Sequence, residues 1–263
     1  MTTTRRTLLL ALAFSMLVAP ASAALAETRS PQQLLAASDA IRNPDHAFGM
    51  TNTLTEYRHG QRVDGSTLAI YAKADPQGGQ FRSLLRYLAP ARDAGKLVLY
   101  NGRALWLHDP AAQASIRLSP QQRLLGQAAN GDVVTVNFAR DYEARSATEE
   151  DITDGDRQPR RCQRLTLAAR SADAAYHRIE MWIDAADQRP VKAQFLADSG
   201  RLLKTAYYRR YQPVFGVPRP TETVIIDGLE PGWVTVMRYS DWVRREVPEA
   251  WLQRDYLPRF RPE

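Results

Sequence analysis

The sequence predicts a mainly β protein: one strongly curved antiparallel sheet with a few short helices packed into its concavity. Three observations predict it. Strand-like runs follow one another with Gly, Asn, Asp and Pro turns between them. Several runs alternate apolar and polar side chains, as half-buried strands do. Two stretches some ninety residues apart, SPQQLLAAS from Ser30 and SPQQRLLGQ from Ser119, carry the same helix-start chemistry.

Residues 1–26 stand outside this pattern. Arg5 and Arg6 precede an apolar run from Leu8 to Val18, and Ala24-Leu25-Ala26 supplies small residues for cleavage. The run is too short to cross a hydrocarbon core of about 30 Å. It reads as an export leader removed near Ala26, by the Sec or the twin-arginine route, which leaves 27–263 as one domain in the periplasm. No later segment is long and apolar enough to span a membrane. Cys162 is the one cysteine, so neither an internal disulfide nor a lipobox anchor is expected.

In the first helix, Ser30 is a good N-cap and Pro31 sits at the first helical position, where a missing N–H costs nothing. Leu34, Leu35, Ser38 and Ile41 then make a stripe at helical spacing. The strands follow: STLAIYAKA, QFRSLLRYLAP, GKLVLYNGR, RALWLHDP and ASIRLS. Asn101-Gly102 signals a hairpin, because both residues tolerate positive φ. Ser119 and Pro120 predict a second helix carrying Leu124 and Leu125, with Gly126 near its end. The surroundings of the two stretches do not align, so an internal repeat is rejected. A third short helix is expected near Asn137 and a fourth near Pro248, with a polar loop over Thr148 to Arg161. Six further strands run from CQRLTLAAR to GWVTVMRYSDWV. Ile179, Met181 and Ile183 share one face, opposite Glu180, Trp182 and Asp184. A sheet with one apolar face must cover it.

Composition excludes some functions. The 263 residues include 35 basic and 29 acidic side chains, a net charge of +6 that falls to +4 without the leader's two arginines. The basic residues are nearly all Arg, with Lys only at Lys73, Lys96, Lys192 and Lys204. An exported chain without a concentrated basic stripe is not expected to bind nucleic acid. His46, His59, His108 and His177 show no metal-ligand spacing, and no nucleophile elbow or phosphate loop occurs. Neither metal nor cofactor is expected, and the chain is not expected to be an enzyme. Cys162 lies between Arg161 and Arg164, where positive charge can activate a thiol; a partly buried strand residue is the plainer reading. TEEDITDGD lacks the spacing of a calcium loop and reads as solvated. In YYRRY, alternation groups Tyr207, Arg209 and Tyr211, either toward a ligand or partner or on an exposed strand face.

The segment SLLRYLAPARDAGKLVLYNGRALWLHDPAAQASIRLSPQQRLLGQ resembles the LolA-like outer-membrane lipoprotein-sorting proteins. The resemblance rests on Pro90, Gly95, Leu97 to Tyr100, Trp106, Pro110, Arg117 and Gly126, and later on the paired strands of GRLLKTAYYRRYQPVFGVPRPTETVIID. It implies an incomplete β-barrel whose concave apolar face is lidded by helices. It also implies a periplasmic carrier or chaperone that holds acyl chains of a lipid or lipoprotein bound for the outer membrane. A monomer is expected, with an inner-membrane exporter of the RND/MMPL type as partner. Arg42 is the candidate for the family's basic lid residue. A regulatory or sensor module of the same fold, binding a partner protein, is the alternative.

On that resemblance, the cavity-lining candidates are Leu68, Ile70, Leu84, Leu99, Val134, Val136, Phe138, Met181, Ile183 and Phe195. Leu34, Leu35, Ile41, Leu124 and Leu125 are the lid candidates. Periodicity alone does not separate a filled core from an open cavity; the resemblance favours the cavity.

Overall fold

Thirteen strands form one antiparallel sheet in the computed structural model, which describes residues 29–75, 81–102, 104–134, 136–172 and 174–261. The leader predicted over 1–26 lies outside the described residues. The first meander is β1 (Phe48–Arg58), β2 (Gln61–Ala74), β3 (Phe81–Ala89), β4 (Leu97–Tyr100), β5 (Leu105–Asp109) and β6 (Ala114–Leu118). After the crossing come a two-strand hairpin of β7 (Arg123–Leu125) and β8 (Ala128–Ala129), then β9 (Tyr142–Thr153), β10 (Pro159–Ala169) and β11 (Arg178–Asp184). β12 (Pro190–Leu196), β13 (Leu202–Val214), β14 (Val217–Asp227) and β15 (Trp233–Arg244) complete the second meander.

Every sheet neighbour is a chain neighbour except one pair: β1 lies beside β15 and joins the two meanders back to back. Their ladder runs from Phe48 opposite Arg244 to Arg58 opposite Trp233. β6 and β9 are the outer strands and do not pair with each other, so the sheet curls into an incomplete barrel. Residues 119–141 cross between these edges.

Local chemistry sets the turns. His59 and Gly60 have φ of 47° and 80°, and Phe215 and Gly216 have 53° and 81°. Both are two-residue hairpin loops with positive φ at each position, whose twist matches that of the flanking strands. The Asn101-Gly102 hairpin forms between β4 and β5, with the Asn101 side chain accepting from the Ala104 N–H at 3.0 Å.

α1 (Pro31–Arg42) starts as the sequence predicts. Ser30 Oγ accepts from the Gln33 N–H at 3.3 Å, and Gln33 Oε1 accepts from the Ser30 N–H at 2.8 Å. These reciprocal bonds satisfy two otherwise orphaned donors. The helix lies on the concave side against β9, β11, β12 and β14. Its Gln32 bonds the backbone of the crossing segment and of the edge strand: Nε2 donates to the Ala139 carbonyl at 2.7 Å and Oε1 accepts from the Ala144 N–H at 2.9 Å.

The second Ser-Pro-Gln-Gln stretch does not become a helix. Ser119 Oγ accepts from the Gln121 N–H at 3.3 Å, closing a turn, and Leu124 and Leu125 lie on β7. Gly126 has φ +54° and Gly131 follows five residues on. Two glycines each cost a helix about 1 kcal/mol relative to alanine. α1 carries Ala36 and Ala37 instead. A Cβ on Gly126 would sit 2.3 Å from Thr235 Oγ1, so glycine also permits the hairpin's close approach to β15. Leu125 is buried and Leu124 half-buried, both against the concave-side cluster.

Two further expectations change. The loop predicted over Thr148 to Arg161 is the end of a β9–β10 hairpin turning at 154–158. Its charges pair across the ladder, with Arg161 Nη2 2.6 Å from Glu149 Oε2, so a polar sequence sustains a strand. The helix near Pro248 is a pair of short 3₁₀ turns, Glu249–Leu252 and Arg254–Arg259, and it covers the convex face. In the crossing a single turn, α2 (Asn130–Val133), comes first, and near Asn137 only one turn forms, α3 (Phe138–Asp141), capped by Asn137 Oδ1 accepting from the Arg140 N–H at 3.1 Å.

The sheet therefore has apolar clusters on both faces. Leu68, Ile70, Leu85, Val98, Leu165, Leu167, Ile179, Met181, Ile183 and Phe195 face the concavity. Leu84, Leu97 and Leu99 face outward, beneath Val247, Trp251, Leu252, Leu257 and Phe260 of the C-terminal strap.

Candidate ligand cavity

Between the concave face and the crossing segment lies a cavity of about 550 Å³. That is within the size range of small-ligand sites, roughly 300–1,000 Å³. Its apolar wall comes from both sides: Leu105, Phe195, Ala206, Ile225 and Met237 from the sheet, and Val134, Val136 and Phe138 from the crossing. Of the ten sequence candidates, Val134, Val136, Phe138 and Phe195 line this space. Leu68, Ile70, Met181 and Ile183 belong to the same cluster, wholly buried behind the wall. Leu84 and Leu99 are on the opposite face, because Leu84 pairs with Leu99 in the β3–β4 ladder one position out of phase with Leu85 and Val98. A one-residue offset reverses the face.

Of the lid candidates, Leu35 is fully buried, Leu34 packs against the cluster and Ile41 is half-buried near the end of α1. None of the five leucine and isoleucine lid candidates lies on the cavity wall. The α1 side chain that does is Arg42. It donates to Asp39 Oδ1 at 2.7 Å and to the Val136 carbonyl at 2.9 Å, with its guanidinium 4.1 Å from the centre of the Phe138 ring. Burial pushes the Asp39 carboxyl up, against the pull of Arg42.

Five tyrosines line the cavity: Tyr100, Tyr142, Tyr176, Tyr208 and Tyr239. Burial raises the pKa of each, so all five are neutral phenols near neutral pH. Tyr176 donates to Asp132 Oδ1 at 3.1 Å, and Tyr239 to Thr223 Oγ1 at 3.2 Å. Sequence alternation singled out Tyr207, Arg209 and Tyr211 of YYRRY, yet Tyr208 faces the cavity. Tyr207 and Arg209 lie on the other face, against Gly155; Arg210 has φ 53°, yet the β13–β14 register runs on unshifted to Tyr211 opposite Pro220.

Asp132 also meets Lys204 in a buried ion pair, and Lys204 Nζ lies 4.7 Å from the Tyr176 ring centre. This pair ties the crossing segment to β13. Burial lowers the Lys204 pKa, with Asp132 acting in the opposite sense. Arg42 on the wall and Lys204 behind it thus each hold a carboxylate, which leaves Arg42 and Asp132 of the cavity wall both paired. Aromatic faces, aliphatic side chains and few uncompensated charges suit a largely hydrocarbon ligand.

The other candidate chemistry is scattered. Burial pushes the Cys162 thiol up to about 12, beneath Trp182 and Val191 on the convex face, which makes it inert rather than activated. None of the four histidines lines the cavity. Among the described residues no group of three His, Cys, Asp or Glu side chains is placed to hold a metal ion. No described helix is long and apolar enough to cross a membrane.

Comparison with known proteins agrees with this architecture. A family model described as an uncharacterized protein matches residues 79–259. No curated protein matches the chain. A DUF1329 family protein from Desulfovibrio piger superposes with a TM-score of 0.73 at 20% identity over 86% of this chain and 97% of that one. An outer membrane lipoprotein-sorting protein domain from Vibrio parahaemolyticus does so with 0.71 at 16% identity over 86% and 97%. These two establish shared fold alone. The crystal structure of a LolA superfamily protein from Nitrosomonas europaea matches with a TM-score of 0.77 at 32% identity, over 87% of this chain and 99% of that chain. With identity at that level over nearly the whole of the relative, and the same incomplete barrel, the chain belongs to the LolA superfamily.

Proposed function

We propose that the protein is a periplasmic carrier that holds the acyl part of a lipid or lipoprotein in the cavity during transfer toward the outer membrane. The cavity carries this reading: a pre-formed space of about 550 Å³, walled by Phe138, Phe195, Ile225 and Met237, with its interior charges already paired. Moving hydrocarbon out of water contributes about 0.8 kcal/mol per CH₂, so a single chain binds without polar contacts. The leader sequence supports export, and 27–263 acts as the carrier unit. The superfamily's carrier architecture supports binding rather than catalysis. An inner-membrane exporter of the RND/MMPL type is the proposed donor.

The test is extraction. Protein isolated from the periplasm under mild conditions, then denatured and extracted, releases acyl lipid in near-stoichiometric amount by mass spectrometry. Repeated preparations that carry no lipid, and that bind no fluorescent fatty acid, would overturn the reading. A stable protein partner recovered from such preparations would favour the regulatory module instead.

A further inference from the structure

The mouth of the cavity has a different electrostatic character from its interior. Its exposed lining marks the rim: Arg140 from α3 and Arg170, the residue after β10, both lie on the cavity wall and are exposed. The backbone holds these two together. The Arg170 N–H donates to the Asp141 carbonyl at 2.8 Å, next in the chain to Arg140. The Arg170 side chain is oriented as well, with Nε donating to the Tyr142 carbonyl at 3.2 Å. That bond occupies Nε and leaves the two terminal nitrogens, the edge of the guanidinium that pairs with carboxylate or phosphate.

Among the described residues, neither Arg140 nor Arg170 has a carboxylate within ion-pair distance. This contrasts with Arg42 and Lys204 inside, each of which is paired. Asp141 is the rim's carboxylate among the described residues, so the described charged side chains there, two guanidiniums and one carboxylate, sum to one positive charge. Both arginines are exposed, where an ion pair forms without full desolvation.

We infer that this two-arginine rim is a headgroup site: the ligand is an anionic amphiphile whose carboxylate or phosphate sits between Arg140 and Arg170 while its hydrocarbon enters the cavity. This rests on the carrier reading of the cavity and adds the charge of the cargo to it. An apolar cavity alone takes neutral and anionic amphiphiles alike; a positive mouth selects between them and fixes which end enters first.

The experiment compares cis-parinaric acid with its methyl ester on the full chain, in the wild type and in an Arg140→Ala/Arg170→Ala variant checked for native circular dichroism. The wild type binds the acid about tenfold more tightly than the ester, a difference that shrinks with added salt. The variant binds both alike, at the ester's affinity. A third arm titrates inorganic phosphate. Displacement of the acid but not the ester by phosphate supports an anion site at the mouth; displacement of neither counts against it. Equal binding of acid and ester by the wild type, or an unchanged preference in the variant, overturns the headgroup site and leaves the carrier reading standing. Failure of the wild type to bind either probe would count against the carrier reading itself.

Discussion

Single side chains decide where the crossing segment sits. The Asp132–Lys204 pair is buried, and Asp132 also accepts from Tyr176 and from the Ala129 N–H at 2.7 Å. Removing one charge leaves the other stranded in a medium that solvates it poorly. Lys204→Met therefore lowers unfolding stability by about 3–5 kcal/mol, measured by urea denaturation. Adding Asp132→Asn recovers much of that loss, because the amide has no charge to strand and retains an oxygen for Tyr176. A double variant as unstable as the single would show that the pair's charge is not what matters. Little of this was legible beforehand. Lys204 sits in RLLKTAYY with nothing to mark it as an interior cation, and Asp132 in NGDVV reads as a turn residue. Their meeting depends on how a segment of irregular structure folds over β13, which periodicity does not encode.

Elements with a strong period were legible; those held by contacts remote in sequence were not. α1 follows its capping chemistry and its leucine stripe. β2 to β6 and β10 to β15 follow their alternation and turns. β1, FGMTNTLTEYR, and β9, YEARSATEEDIT, went unrecognised, the first for its buried Asn52 and Thr55, the second for its surface charges. The helix expected after Ser119 shows that a cap does not make a helix: the residues beyond the first turn must hold it, and Gly126 does not.

The C-terminal strap depends on a different local contact. Glu249 is held by Arg82 at 2.8 Å and 3.0 Å and by Lys73 at 2.6 Å, and the Arg82 and then the Lys73 hydrogen bonds lower its pKa from 4.5 to about 2. A carboxyl depressed on folding contributes stability that is present above pH 4.5 and is lost as pH falls toward 2. Glu249 is more than half exposed, so solvent screening limits the contribution to about 1 kcal/mol or less. Acid titration followed by Trp251 fluorescence shows the strap loosening across that window. In Glu249→Gln this component of the acid transition disappears.

At the scale of the molecule, one sheet carries two cores with separate duties. Leu99 is fully buried on the convex side beneath the strap, while Phe138 lies on the concave side at the cavity. Leu99→Ala lowers stability by about 2–5 kcal/mol and leaves fatty-acid affinity unchanged. Phe138→Ala alters affinity, since it removes part of the wall and the ring on which Arg42 rests. Denaturation and fluorescent-ligand titration on both variants test this, and an equal loss of affinity in the two would mean that the faces are coupled. The curved sheet and its overall class were legible because patterning over many strands averages out local errors. The face of each strand was not, since a single offset in β3 and β4 reverses Leu84 and Leu99.

The β1–β15 ladder has a mechanical consequence. The chain enters β1 at Phe48 and leaves β15 at Arg244, and these two residues are directly opposite. Both ends of the polypeptide thus depart from the same point of the sheet, with α1 turning to the concave side and the strap to the convex side. Tension between the ends first strips these two segments, then loads the Phe48–Arg244 rung by itself. The ladder yields rung by rung from that end, since no other pair shares the load until the previous one has opened. The sheet would part along its middle and release two intact meanders, each still hairpinned, at a force far below that needed to slide two long strands past each other. A molecule built this way resists heat through its two cores, yet opens readily when its two tails are pulled apart.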